Sequence, residues 1–368
     1  MNTKGLFESV PNFSEGRRAK VISAIAHAAG SGAHLLDVDP DRDHNRAVIS
    51  IAASRPRLLD GLLAAVAAAV ERIDLSAHAG VHPRVGAADV VPIVPLGQST
   101  LADARELARE VGMRIWSELH VPVYWYGEQR SLADIRAGRA HPDLGGPDLH
   151  PTAGAVCVGA RLPLVAFNVL LPDMAVAQAR GLARSLRESS GGMRGVQAMV
   201  FLLPRDRVQL SMNLFRVEET SPAAVLAELA RRGVKLGEPE LVGLSPAIAA
   251  GEVGAGRVLE ARLAAAAARA GALKCRERGD PEGVALAGRL ETEAEKLADL
   301  GVDQSDLLAG AERAAALAAV LRAAKVLDGE LEAMLGSASG GLRAAISGST
   351  EMEYPARVRA LDARLAPG

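Results

Sequence analysis

Apolar positions in the first half of the chain switch between two periods. Residues 6–10 read as a strand, and residues 17–29 set Val21, Ile22, Ile25 and Ala29 at helical spacing. Residues 34–38 and 47–52 are short buried strands, residues 57–73 form a helix rich in Leu and Ala, and residues 90–94 are a Val/Ile strand bounded by prolines. The order β-α-β-β-α-β is the split βαβ pattern of ferredoxin-like folds. A further helix over residues 101–119 and a strand over 121–126 follow.

The second half repeats this order. A strand at 164–170 precedes a helix at 174–187. Residues 196–203 and 208–214 form a hairpin across the polar turn Pro204-Arg205-Asp206, before a helix at 223–232 and a short strand at 239–244. The fold class is therefore α/β (α+β), with two similar split-βαβ subdomains expected to face each other. Residues 136–154, crowded with Gly, Pro, His and Asp, carry no periodicity and are expected to be a loop. From Ala247 onward Ala, Glu, Arg and Leu dominate through Leu335, with breaks at Gly279-Asp280-Pro281 and near Gly301, so several amphipathic helices are predicted. Residues 336–348 are Gly/Ser-rich, and the end of the chain carries Pro355 and Pro367. The expected divisions are 1–140, a loop at 141–154, 155–246, and a helical extension at 247–368 that frays at its end.

Length and composition agree with this picture. A chain of 368 residues fits two compact domains plus an extension. Forty-two basic residues against 44 acidic give a formal net charge of −2, which argues against a nucleic-acid partner, since that needs a concentrated basic excess. The alanine-rich runs at 62–70 and 263–272 fall short of the ~20 residues of a membrane span, so no membrane partner is expected. The start of the chain shows no basic segment leading into a long apolar stretch, and no signal peptide is expected. Cys157 and Cys275 are too isolated for a disulfide framework or a zinc knuckle. A reducing, cytoplasmic compartment is the expectation.

Polar residues concentrate in two loop segments, Asp37 to Arg46 and His78 to Gly86, which hold three of the eight histidines: His44, His78 and His82. A calcium loop begun at Asp37 would need Gly at its sixth place and Glu at its twelfth, and the chain has Arg42 and Val48. Gly80 and Pro83 make a shared helical face for His78 and His82 improbable, and no metal is expected. The glycine-dense stretch 251–256 lacks the Lys-Ser/Thr of a phosphate loop, and no Gly-x-Ser-x-Gly elbow is present. Acid–base chemistry by a positioned histidine fits better, with Asp39 or Asp89 fixing its tautomer. Arg46 and Arg84 offer forks suited to carboxylates.

These residues resemble a known family. Val10-Pro11-Asn12-Phe13-Ser14-Glu15-Gly16-Arg17 resembles the opening of the glutamate formiminotransferases. Leu35-Leu36-Asp37-Val38-Asp39 with Asn45-Arg46 is similar to the next family segment, and His82-Pro83-Arg84-Val85-Gly86 with Asp89-Val90 to its histidine loop. Tyr126-Gly127-Glu128, Gly159-Ala160-Arg161, Ala166-Phe167-Asn168 and Leu241-Val242-Gly243-Leu244 continue the match in order, over residues 6–246. The resemblance implies two α/β subdomains and transfer of the formimino group of N-formimino-L-glutamate to N5 of tetrahydrofolate, the co-substrate. It implies His82 as catalytic base and Asp39 as an assisting carboxylate. Asn12, Arg46, Arg84 and Gly86 would bind substrate. Gly145, Gly146, Pro147, Pro151, Thr152 and Gly154 would line the folate site. A homodimer is also implied. The chain departs from the family at Val81, Ala79 and Ala153, and its tail lacks the Gly-rich signature of a cyclodeaminase domain. Two alternatives stand beside this reading: a metal-dependent hydrolase of formiminoglutamate or another amidine, and a folate-binding protein without catalysis.

Overall fold

The structure, a computed structural model, describes residues 5–127 and 130–347; Glu128 and the expected frayed end lie outside the described residues. Two compact units meet at Leu162 and Pro163. In the first, β1 (Leu6–Ser9), α1 (Ala19–Gly32), β3 (His34–Asp41), β4 (Arg46–Ser54), α2 (Arg55–Arg72) and β5 (Ala88–Leu96) make up the predicted β-α-β-β-α-β unit, with a two-residue strand β2 (Asn12–Phe13) inserted. β1 lies antiparallel between β4 and β5, and β3 pairs with the outer edge of β4. This order is the ferredoxin-like one. β2 continues the line of β1, pairing Asn12 with Val48 on one side and with Val90 on the other.

Three more elements extend the unit: α3 (Leu101–Leu119), β6 (Val123–Trp125) and β7 (Val156–Ala160). β7 pairs in parallel with β5, and β6 in parallel with β7. Residues 155–162, expected in the second subdomain, thus belong to the first unit. The reason is hydrophobic continuity. Val156, Cys157 and Val158 are fully buried beside β5, all nine of whose residues are buried. Such two-sided burial is what a parallel strand requires.

Alternation divides β4 between two faces. Ile49, Ile51 and Ala53 pack with Phe7, Val91 and Ile93 beneath Ile25, Leu58, Leu62, Val66, Leu107, Val111 and Ile115 of the three helices. Arg46, Val48 and Ser50 point to the opposite face, so a polar residue can begin a strand whose core face is apolar. α3 starts at a reciprocal cap: Thr100 Oγ1 accepts from the Asp103 N–H at 3.1 Å, and Asp103 Oδ2 accepts from the Thr100 N–H at 2.8 Å.

The second unit opens with β8 (Val165–Leu170), α5 (Val176–Leu186), β9 (Val196–Leu203), β10 (Arg207–Leu214), α6 (Pro222–Arg231) and β11 (Pro239–Val242), in sheet order β11-β8-β10-β9. This is the same split βαβ arrangement, and Arg205 and Asp206 take positive φ in its hairpin turn. A one-turn helix α7 (Ala247–Ala250) and four longer helices follow: α8 (Leu259–Glu277), α9 (Pro281–Ala298), α10 (Gln304–Ala323) and α11 (Gly329–Ser347). α11 runs through the Gly/Ser-rich stretch after Leu335. Leu331, Met334, Leu335, Ala338 and Leu342 form one buried stripe along it, and that packing outweighs the poor helix propensity of its glycines. Among the described residues no helix is long and apolar enough to cross a membrane.

Candidate active site

Three loops of the first unit converge on His82. Asn45, at the end of the β3–β4 turn, takes a φ of 49°, a conformation that Asn tolerates. Its side chain accepts from the Gly16 N–H at 2.9 Å and donates to the Ala79 carbonyl at 3.0 Å. One buried amide thus ties the β2–α1 loop and the histidine loop to the turn. Ser14 donates to the Gly86 carbonyl at 2.7 Å. Gly86 faces Gly154 in an isolated bridge, and a Cβ on Gly86 would overlap the Ala155 carbonyl oxygen. The glycine is required by this close approach.

Ser14, His44, Asn45, Arg46, His82, Arg84 and Asp89 line the resulting depression. The half-buried His82 imidazole stands edge-on to His44 with ring centroids 5.9 Å apart. Its Nδ1 is 2.7 Å from the Pro83 carbonyl. Arg46 Nη1 lies 2.7 Å from Nε2 and 2.8 Å from Nδ1. One tautomer fits: Nδ1–H donates to Pro83, and Nε2 accepts from the guanidinium. Burial, then the positive charges of Arg46 and Arg136, push the imidazole down to about 2, so His82 is neutral throughout the physiological range. Arg46 also donates to Asn12 Oδ1. Burial lowers Arg46 to about 10, which leaves it charged near neutrality.

The other two histidines are engaged differently. His44 Nδ1 is 2.6 Å from Asp41 Oδ2, and His78 lies against Arg84. Arg84 also donates from Nη2 to the His82 carbonyl at 2.8 Å. Asp39 or Asp89 was expected to fix the His82 tautomer, and the Pro83 carbonyl also stands at Nδ1. Asp89, 1% exposed, instead accepts from the Val85 N–H at 2.6 Å and from Arg136 Nη2 at 2.6 Å. Asp39 sits on β3 opposite Val48, two residues from Asp41, and does not line the depression.

The folate residues expected from the resemblance separate into two groups. Thr152 and Gly154 border the histidine loop: the Thr152 carbonyl accepts from the Leu75 N–H at 2.8 Å, and the Ala87 N–H reaches the Ala153 carbonyl between them at 2.8 Å. Pro151, exposed, leads into that turn. Gly145 packs over Trp116, with Gly146 and Pro147 exposed beside it, and none of the three lines the depression. Arg136 is the residue the sequence reading missed. It ends a short helix α4 (Leu132–Arg136), which begins where the loop was expected to approach. The signal was present as Ser131-x-x-Asp134 followed by Ile135, a helix start in miniature. Among the described residues no group of three or more His, Cys, Asp or Glu side chains is arranged to hold a metal ion.

A split-βαβ unit that sets a histidine ring against Arg46 and its carbonyl against Arg84 is the scaffold of the candidate site. Residues 6–161 match the formiminotransferase domain, N-terminal subdomain. The glutamate formimidoyltransferase of Streptococcus pyogenes serotype M1 is 36% identical over 267 residues, covering 66% of this chain and 89% of its own. That of Thermoplasma acidophilum is 37% identical over 268 residues, covering 66% and 88%. The formimidoyltransferase-cyclodeaminase of Sus scrofa is 37% identical over 272 residues, covering 66% of this chain and half of its own. The chain belongs to the formiminotransferase family.

Proposed function

We propose that the chain transfers the formimino group of N-formimino-L-glutamate to N5 of tetrahydrofolate, as in histidine degradation, with His82 as general base. The observation that carries this reading is the neutral imidazole whose Nε2 faces Arg46 at 2.7 Å. A base must be unprotonated before it acts, and burial, with a neighbouring guanidinium that cannot accept a proton, keeps it so. The same contact restrains the base while the site is empty. A substrate carboxylate engaging Arg46 draws the guanidinium away, uncovers Nε2 and removes the charge that weakens it.

The N5 amine then attacks the formimino carbon, and Nε2 takes the N5 proton as the new N–C bond forms. The bond from that carbon to the glutamate nitrogen breaks as His82 returns the proton there, releasing glutamate. Arg84 offers a second fork for donor carboxylates. Asp39, on the strand face shared with Arg46, supplies negative charge against the cationic intermediate. We assign Asn12 and Gly86 to holding the ends of this site, and Gly145, Gly146, Pro147, Pro151, Thr152 and Gly154 to the folate side. That folate assignment, like a cytoplasmic homodimer as the working form, rests on the family resemblance.

The test follows acid-generated 5,10-methenyltetrahydrofolate in mixtures of protein, tetrahydrofolate and N-formimino-L-glutamate. Turnover that needs both substrates is expected. Turnover by chelator-sensitive hydrolysis without folate would sink the reading.

A further inference from the structure

Asp89 is a buried carboxylate within reach of two cations. Arg136 takes Oδ2 at 2.6 Å, and Arg46 Nη2 stands 4.0 Å from the same oxygen. The Asp89 side chain is 1% exposed and that of Arg136 15%, so neither charge is well served by water. Arg136 does not line the depression; it reaches Asp89 from the end of α4, 47 residues along the chain. Its hydrogen bond at the site is to Asp89.

We propose that Arg136 is a positioning residue: by occupying Asp89 it leaves the Arg46 guanidinium on His82 and holds the 82–86 loop in place. The inference rests on the reading of His82 and Arg46 given above. A buried carboxylate deprived of its partner is strongly destabilised and takes the next cation available. Here that cation is Arg46. Moving onto Asp89, it leaves both His82 Nε2 and Asn12. Asp89 also accepts from the Val85 N–H, so its shift disturbs the loop that carries His82, Pro83 and Arg84.

The groups around His82 give this displacement a readable consequence. Burial, then Arg46, Arg136 and His44 oppose its protonation, and the Pro83 carbonyl favours it. Asp41 sits behind His44, and Arg84 binds the His82 carbonyl. With Arg136 gone and Arg46 drawn to Asp89, two of the three opposing charges leave the imidazole together, and protonation becomes easier although burial still opposes it.

The experiment is an NMR titration of ring-labelled histidine in the full chain, with His82 assigned by the signal lost in His82→Asn. Wild type, Arg136→Lys, Arg136→Gln and the double variant Arg136→Gln/Asp89→Asn are compared, with circular dichroism and melting temperature as checks on folding. Wild-type His82 should stay neutral between about pH 5 and 8. Arg136→Lys, which keeps a cation on Asp89, should behave likewise. Arg136→Gln should titrate at a higher pH than wild type, with protonation setting in inside this range. The double variant has no carboxylate to draw Arg46 away and should return His82 to neutrality.

That rescue is what a merely structural role would not produce. If Arg136→Gln does not fold, the double variant and Arg136→Lys carry the test: protonation of His82 inside this range in either overturns the proposal. So does a folded Arg136→Gln whose His82 curve superimposes on wild type. Failure of the functional reading shows elsewhere, as undiminished turnover in His82→Ala, whatever the titrations report.

Discussion

Glu260 offers a quantitative test of the helical region. It lies in the first turn of α8, 6% exposed, and its Oε2 accepts from the Ala247 N–H at 2.8 Å, capping α7. Its stem lies over Gly341 of α11. Burial pushes the carboxyl up to about 7, partly offset by the hydrogen bonds from backbone N–H groups. The perturbation is Glu260→Gln, which keeps a carbonyl oxygen for the Ala247 N–H but cannot ionise.

The sign follows from proton linkage. Below the unfolded value of 4.5 both states are protonated and the carboxyl costs nothing. Between 4.5 and about 7 the folded protein keeps a proton that the unfolded chain releases, so stability falls as pH rises, and above 7 the full cost is in place. At 1.36 kcal/mol per unit, that cost is roughly 3 kcal/mol. Urea denaturation of both proteins should give nearly equal stability near pH 4.5, with Glu260→Gln ahead by roughly 3 kcal/mol at pH 8. A difference that stays constant across this range would refute the assignment of a buried, protonated Glu260.

Three further expectations can be checked singly. Gly86→Ala puts a Cβ onto the Ala155 carbonyl and should destabilise by about 1–3 kcal/mol in denaturant titration, as overpacking does; wild-type stability would show that the 82–86 and 152–155 segments are not in contact. Arg46→Ala removes a charge-assisted contact worth about 1.5–3 kcal/mol, so kcat/KM for the anionic donor should fall roughly 10- to 100-fold. An unchanged value would remove Arg46 from substrate binding. Cys157 and Cys275 are buried, and burial pushes both thiols up, so the native protein should resist alkylation until it unfolds. Fast labelling of Cys157 in folded protein would contradict the buried β5–β7 pairing.

The core of each unit could be read from local periodicity because each buries its own faces. Val21, Ile22, Ile25 and Ala29 lie at helical spacing, and three of the four are buried in α1. What local patterns could not supply was the partner of an isolated apolar run. The run 156–160 is equally consistent with opening a second subdomain or extending the first sheet, and only its parallel pairing with β5 decides. Likewise, the Gly/Ser content after Leu335 gives no local sign of a helix, because the stripe that stabilises α11 depends on packing against other helices.

The site divides along the same line. The loops bearing His82, Arg46 and Asp89 were legible as clusters of polar residues. The contacts among them were not. Asp89 looked like a partner for the imidazole and is instead the support of the loop. Its own partner, Arg136, lay in a segment with too little periodicity to draw attention.

The proposed function turns on His82. The most direct measurement is turnover of tetrahydrofolate and N-formimino-L-glutamate by His82→Ala beside wild type, read as acid-generated 5,10-methenyltetrahydrofolate. Wild type should show turnover that needs both substrates, and the variant a fall of roughly 10²–10⁴, the usual worth of a general base. A His82→Ala protein that is folded and turns over at the wild-type rate would contradict it.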